Sequence, residues 1–393
     1  MKGVMNILVY KWDIFPYDDI IETFQKQGHW VNVPAFSEIN HLKDEAFEQA
    51  LTEHLTSHTY DFVFSVNYFA VIARVCHRQQ IRYVSWNVDT PLISMQTDTV
   101  FFPENRIFTF DQTEYRQQKA RGVESIFYLP LAGNPMHFHP ELTDSPTQFP
   151  VSFVGTLYDK NRYDEMCCLL PDYLCGYLDS AIEAQLHVSR GNILTSMITE
   201  EIFQELKPFL QLEPGYEDCF SYPDAETNLL KLQFNTCVLS HKIASISRIQ
   251  LLNLLAADHV SVHLFTTSDT SPLRQVQVHP PVDYHTEMFE IFQSSQINFH
   301  LTAPNIESGI PLRVWDVLSA GGFLLTDCRP AYDGLLQDKK ELVLFDGPED
   351  CIRKVKYYLA HPEERCQIAH NGHQRILQEH NYQNRIQKML CTI

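Results

Sequence analysis

The chemistry-bearing residues of this chain gather in "ESGIPLRVWDVLSAGGFLLTD" (307–327), where Arg313 is followed three residues later by Asp316. The spacing predicts a short helix from about Pro311 to Ala320. Pro311 suits the first helical position and Gly321 a C-terminal cap. Leu312, Val314, Trp315, Val317 and Leu318 put apolar surface around most of the axis, so this helix is expected to be buried. A cation in the first turn faces the positive end of the helix dipole and needs partners when buried. Two readings stay open. Asp316 is the local counter-ion at i+3, or an anion completes the site. In the second reading, amides around Gly309, Ile310 and Leu312 and the Arg313 fork form a diphosphate cradle. Asp316 is then left to accept a ribose or sugar hydroxyl.

A second group lies in "FVGTLYDKNR", where Gly155 ends a strand and lets a phosphate or sugar approach the backbone closely; Thr156 adjoins it and Arg162 follows. In "SWNVDTP" (85–91), Asp89 ends another strand and is the candidate general base. An aspartate capping the turn before Pro91 is the plainer explanation of the same residue. Trp12, Tyr68 and Trp86 are candidates for stacking on an acceptor sugar, against core packing as the ordinary fate of each. The chain contains no HExxH, no Asp-x-Asp, no GxGxxG, no P-loop and no GxSxG. Those absences count against a metal-chelating diphosphate site, dehydrogenases, P-loop kinases and α/β-hydrolases, and no metal site is expected.

The elements that must position these groups alternate. "NILVY", "WVNVPAF", "YDFVFSV", "IRYVSWNV", "NRIFTFD" and "VESIFYLPLA" read as strands, separated by helical spacings such as "EAFEQALTEHLTSH". Residues 134–150 hold four prolines and no periodicity and read as a linker. The rhythm restarts at "VSFVGTL", gives way to an irregular helical stretch over 163–235, and returns with "HVSVHLFT", "INFHLT", "FLLTD" and "ELVLF". The expected class is α/β: two Rossmann-like domains with parallel sheets facing a cleft. The expected boundaries are 1–145, 146–376 with a helical insertion at 163–235, and a tail helix at 377–393 packing back on the first domain.

With 393 residues the chain exceeds one ordinary core, and 44% apolar against 20% charged residues is a globular balance. The formal net charge of −19 opposes non-specific nucleic-acid binding and docking on anionic membranes. Ten cysteines form no CxxC pair, no apolar run is long enough to span a membrane, and no Asn-x-Ser/Thr sequon occurs. A cytoplasmic protein without an integral membrane segment is expected.

Residues 297–390, through "INFHLT", "SGIPLRVWDVLSAGGFLLTD", "ELVLFDGPED", "VKYYLAHPEERCQIAHNGHQRIL" and "NRIQKML", resemble the C-terminal part of CgeB-like (spore-maturation-type) glycosyltransferases. "DFVFSVNYF", "RYVSWNVDTPLISM", "NRIFTFD" and "GVESIFYLPLA" look like the domain that precedes it. The resemblance implies a GT-B fold and metal-independent chemistry without a cofactor. It implies a nucleotide-sugar donor on the C-terminal half and a hydroxyl-bearing acceptor on the N-terminal half. By the same analogy Arg313 meets the diphosphate and Asp316 the ribose; base recognition is expected from backbone and loop groups around Thr266 or Val282 to Tyr284, which spacing does not read. Many GT-B relatives carry two glutamates eight residues apart here; this chain has Asp316 and Ser308, with Glu307 next door. His300 stands where the family often has Asn. A hexosyltransferase-type glycosyltransferase is the expected function. A sugar-nucleotide epimerase of the same fold and a non-catalytic nucleotide-sugar-binding protein are the alternatives.

Overall fold

The computed structural model describes residues 3–36, 40–142, 146–188, 191–211 and 224–393. The chain divides into two units. The first comprises Met1–Leu131, Gln211–Gln233 and Tyr382–Ile393, and the second Ala132–Leu210 and Phe234–Asn381.

The first unit carries β1 (Asn6–Tyr10), β2 (Trp30–Asn32), β3 (Phe62–Val66), β4 (Arg82–Trp86), β5 (Asn105–Thr109) and β6 (Ile126–Tyr128). They form one parallel sheet in the order β2-β1-β3-β4-β5-β6. Each inner strand is a continuous apolar run because helices cover both faces of a parallel sheet; all five residues of β3 are buried. The order reverses between β1 and β3, which is where an open α/β sheet leaves a crevice. Helix Tyr382–Thr392 closes the unit. It packs on helix Tyr17–Lys26 and buries Tyr382, Ile386, Met389 and Leu390. The Tyr382 ring meets Trp86 edge-on at 5.9 Å, and Arg385 Nε donates to Pro130 O at 2.9 Å.

The second unit carries β7 (Phe149–Val154), β8 (Val262–Phe265), β9 (Gln277–His279), β10 (Ser295–His300), β11 (Leu324–Asp327) and β12 (Val343–Phe345). The sheet is again all-parallel, in the order β12-β11-β10-β7-β8-β9. Numbered within the unit this is 3-2-1-4-5-6 read from the far edge, the dinucleotide-binding order, with its switch point between β7 and β10. The expected helical stretch lies in the chain between β7 and β8; its helix Asp172–Leu186 belongs to this unit and its helix Ala225–Gln233 to the first. Residues 189–190 and 212–223 of that stretch lie outside the described residues.

The proline-rich segment expected as a linker is part of the second unit. The His137 ring stacks on Phe289 at 3.7 Å, and His139 N donates to Gln293 Oε1 at 3.0 Å. Gly133 approaches so closely that a Cβ there would lie 2.0 Å from Ser319 Oγ.

Candidate active site

The helix expected from Pro311 spans Leu312–Ser319, with Pro311 the extended residue before it rather than its first turn. Its end is a Schellman motif: Gly321 N donates to Leu318 O at 3.1 Å and Gly322 N to Val317 O at 3.0 Å. Gly321 supplies the positive φ, +72°, that this turn requires. The helix follows β10, so its N-terminus lies at the carboxyl edge of the sheet, with Gly309 and Ile310 buried before it.

Arg313 is partly exposed, and the helix does not hold it in a tight ion pair: its nearest approach to Asp316 Oδ2 is 3.5 Å. The guanidinium lies over the Phe292 ring, 5.4 Å from the centroid, and one of its N–H groups points at Met288 Sδ. Asp316 is buried and accepts from Tyr284 Oη at 3.1 Å. Three residues picked out in the sequence, Arg313, Asp316 and Tyr284, are therefore brought together.

At the end of β7, Gly155 adopts φ +157°, a conformation side chains rarely take. Exposed Thr156 meets Ser268 Oγ at 3.1 Å and accepts from Tyr158 N at 3.0 Å, fixing the turn. Arg162 opens helix Arg162–Cys167, capped by Asn161, and its side chain is exposed.

Between these two groups lie Arg248, Asp327 and Arg329, which sequence reasoning passed over, and His300, which it noted only as a departure from the family. Arg248 is buried and bridges the switch point, donating to Thr156 O at 2.6 Å and to Leu301 O at 2.8 Å. Tyr158 lies against the guanidinium at 4.8 Å. Its sequence signal was legible: in "SRIQLLNLLAA" it shares a helix face with Ala244, Leu251, Leu252 and Leu255, all buried. His300, at the end of β10, bonds Thr326 Oγ1 at 3.2 Å. Burial, against the pull of Asp327 and aided by the charges of Arg248, Arg313 and Arg329, brings its pKa down to about 3, so it is neutral. Asp327 accepts from Arg329 Nε at 2.5 Å and Thr302 N at 2.9 Å. Desolvation works to raise its pKa, but Arg329 and the other donors hold it below the ordinary carboxylate value. The carboxyl edge of this sheet is thus set with guanidinium groups in a chain whose net charge is −19.

In the first unit Asp89 follows β4, and its Oδ2 accepts from Asn67 Nδ2 at 2.8 Å. Asn67 takes a left-handed φ of +64° and accepts with Oδ1 from Val88 N at 2.9 Å. The Asp89 carboxylate reaches the surface, yet crowding by the strand ends raises its pKa, opposed by the Asn67 bond. Trp12 lies at the β1/β3 switch point, half-buried, with Nε1 donating to Val66 O at 2.9 Å. Tyr68 and Trp86 are corrections to the expected acceptor set. Tyr68 is fully buried and donates to Thr99 Oγ1 at 2.8 Å; Trp86 is 1% exposed and donates to Leu129 O at 3.3 Å. Neither leaves a ring face for a sugar.

Among the described residues no cluster of three or more His, Cys, Asp or Glu side chains could hold a metal, and no helix is long and apolar enough to cross a membrane.

Residues 248–391 match a family model described as glycosyl transferase-like. Similar solved structures extend the likeness to the whole chain. A glycosyltransferase from Rickettsia africae has 9% identity and TM-score 0.52, over 99% of this chain and 97% of that one. The sucrose-phosphate synthase of Thermosynechococcus elongatus has 10% identity and TM-score 0.51, over 98% of each. Anabaena HepE, solved with UDP-glucose, has 11% identity and TM-score 0.50, over 99% of each. The fold is that of the GT-B glycosyltransferases. The two six-stranded parallel sheets are its Rossmann-like halves, and the family match includes the helix that carries Arg313. A search of the curated proteins finds no match.

Proposed function

We propose that this chain transfers a sugar from a nucleotide diphosphate donor to a hydroxyl-bearing acceptor, as a metal-independent, cytoplasmic glycosyltransferase of the CgeB-like type. The observation that carries this reading is the Arg313–Asp316–Tyr284 group at a helix N-terminus beside the end of β10 in a GT-B fold. The Arg313 fork and the amides before it supply the positive field on which a leaving diphosphate is stabilised. Asp316, oriented by the Tyr284 hydroxyl, takes the ribose. The open turn at Gly155 and Thr156 admits the sugar. Arg248 acts as a positioning residue, since it ties Thr156 O to Leu301 O and so fixes the two strand ends that flank the site.

The acceptor belongs to the first unit, with Trp12 as its stacking surface. In an inverting transfer the acceptor hydroxyl oxygen bonds to the anomeric carbon. The bond from that carbon to the diphosphate breaks with its electron pair on the leaving oxygen, and the hydroxyl proton passes to Asp89. A base held above the ordinary carboxylate pKa suits that step. HepE, the similar structure solved with UDP-glucose, makes uridine the first base to try and glucose the first sugar. The test is a binding panel of uridine, guanosine, thymidine, adenosine and cytidine diphosphates, followed by donor turnover. Saturable binding to one diphosphate, lost in Arg313→Ala, and slow hydrolysis of its sugar nucleotide are expected. No binding to any member would overturn the reading, and an epimer of the intact donor would make the protein an isomerase.

A further inference from the structure

The side chains of β10 divide between the two faces of the second unit's sheet. Ile297, Phe299 and Leu301 share one core with Leu251, Leu252 and Leu255 of helix His241–Ala257 and with Val355 and Tyr358 of helix Gly347–Ala360. Side chains alternate along a strand, so Asn298 and His300 project from the opposite face. That face also carries Phe292: Asn298 Nδ2 donates to Phe292 O at 2.9 Å, and the Arg313 guanidinium lies over the Phe292 ring. His300 therefore ends the strand on the Arg313 side of the sheet, and its pKa registers the Arg313 charge.

The neighbours of His300 fix where its hydrogen sits. His300 pairs in register with Thr326 of β11, so the two side chains stand side by side, with Nδ1 3.2 Å from Thr326 Oγ1. A hydroxyl has one hydrogen, and Thr326 donates it to Asp327 Oδ1 at 3.2 Å. Tyr332 Oη donates to the same Thr326 oxygen at 3.5 Å. Oγ1 therefore accepts from the ring, and the single hydrogen of the neutral imidazole lies on Nδ1. Nε2 is left with a lone pair and no hydrogen. Among the described residues Nε2 has no partner, yet it is not one of the polar atoms sealed from solvent without one. It belongs to the 8% of His300 that stays accessible.

The chemistry of that atom selects its ligand. Burial, with the charges of Arg248, Arg313 and Arg329, keeps the ring unprotonated. An acceptor without a hydrogen repels a phosphate oxygen and takes an O–H or N–H donor. With the diphosphate at Arg313 and the ribose at Asp316, the hydroxyl-bearing part of the donor left over is its sugar. We propose that His300 is a specificity-determining residue for the transferred sugar, its Nε2 accepting a hydrogen bond from one sugar hydroxyl while Thr326 and Asp327 fix the tautomer.

This role rests on the donor reading above, and the test separates the two. Nitrogen NMR of the histidine rings in the free full chain, with the His300 signals assigned by their loss in His300→Gln, reads the tautomer. Nε2 is expected to carry no hydrogen at neutral pH, and Thr326→Val to release the preference for Nδ1–H. Calorimetry then reads the contact. The uridine, guanosine, thymidine, adenosine and cytidine diphosphates are titrated beside their glucose or mannose conjugates. In His300→Phe the conjugate is expected to bind about tenfold more weakly, with the bare diphosphate within about twofold of the parent. His300→Gln, which restores an acceptor, is expected to fall between. One monodeoxy form of the sugar is expected to lose about the same tenfold against the parent and nothing further against His300→Phe. A hydrogen on Nε2 in the free parent, equal losses of conjugate and bare diphosphate in His300→Phe, or an unchanged conjugate affinity there would each overturn the proposal and leave the donor reading standing. No binding of any diphosphate by the parent would overturn both.

Discussion

The Tyr284 hydroxyl reaches Asp316 Oδ1 at 3.1 Å, closer than Arg313 comes to the same carboxylate at 3.5 Å from within its own helix. The aspartate is therefore oriented from outside the helix. Tyr284→Phe removes a donor from a buried carboxylate and is expected to destabilise the second unit by about 1–3 kcal/mol. Urea unfolding followed by fluorescence measures this. A midpoint unchanged from the parent would show that the bond orients nothing.

Among the described residues Arg313 has no comparably close partner of opposite charge: its contacts there are a ring face, a thioether and one long approach to Asp316. Arg313→Ala should leave the fold intact and weaken nucleoside diphosphate binding by about 1.5–3 kcal/mol, the range for a hydrogen bond to a charged group. Isothermal titration on the folded variant decides it, and equal affinity in parent and variant removes Arg313 from the diphosphate role. Arg313→Lys keeps the charge without the fork and is expected to fall between the two.

Asp89→Asn keeps the size of the side chain and its approach to Asn67 while removing the base. Transfer should fall by about 10²–10⁴-fold, with diphosphate binding unchanged. Steady-state turnover beside a binding titration separates the two effects. Full activity in this variant would point to a retaining reaction that uses no such base.

Two buried groups titrate with opposite consequences. Glu114, which accepts from Thr109 Oγ1 and Leu92 N, has its pKa raised by burial from 4.5 to about 7. The folded state holds that proton more tightly, so this group's contribution is fully present below about 4.5 and is lost as the pH rises through about 7. His300 is depressed from 6.5 to about 3, so its contribution is present above 6.5 and is lost as the pH falls toward 3. Between about 4.5 and 6.5 the slopes, each at most about 1.4 kcal/mol per pH unit, oppose one another. Glu114→Gln should therefore steepen the loss of stability on acidification over that window. His300→Gln should reverse it into a gain. Melting temperatures of parent and variants from pH 4.5 to 7.5 test both signs.

Gly322 follows the Schellman turn with no room for a side chain. A Cβ there would lie 2.5 Å from Asn298 Nδ2 and 2.9 Å from Phe292 O. Asn298 links β10 to its surroundings by donating to Phe292 O and Phe323 O and accepting from Ser152 Oγ. Gly322→Ala must displace that amide and is expected to cost about 1–3 kcal/mol, read as a lower melting temperature.

The strands of both sheets were legible because parallel strands are buried on both faces and read as unbroken apolar runs. β9 was not, since Gln277–His279 is three residues long and mostly exposed at a sheet edge. The capped helix carrying Arg313 was legible from Pro311 and the two glycines, to within one residue at its start. Arg248 and His300 acquire their roles only when β7 and β10 become neighbours, a pairing of strands about 150 residues apart that local spacing does not encode. Tyr68 and Trp86 failed as acceptor residues for a related reason. An aromatic beside a strand end packs inward or outward according to its neighbours, and here Thr99 and Leu129 turn both inward.

The helix Tyr382–Thr392 gives the first unit a late last piece. Residues 3–131 leave the ribosome long before Ile386, Met389 and Leu390, which complete their core. At about 5–20 residues per second, the intervening stretch from 132 to 381 takes about 12–50 s to synthesise. Through that interval the apolar surface of helix Tyr17–Lys26 that Tyr382–Thr392 will cover stays open, and the nascent first unit is a natural client for a chaperone until residues 382–393 arrive.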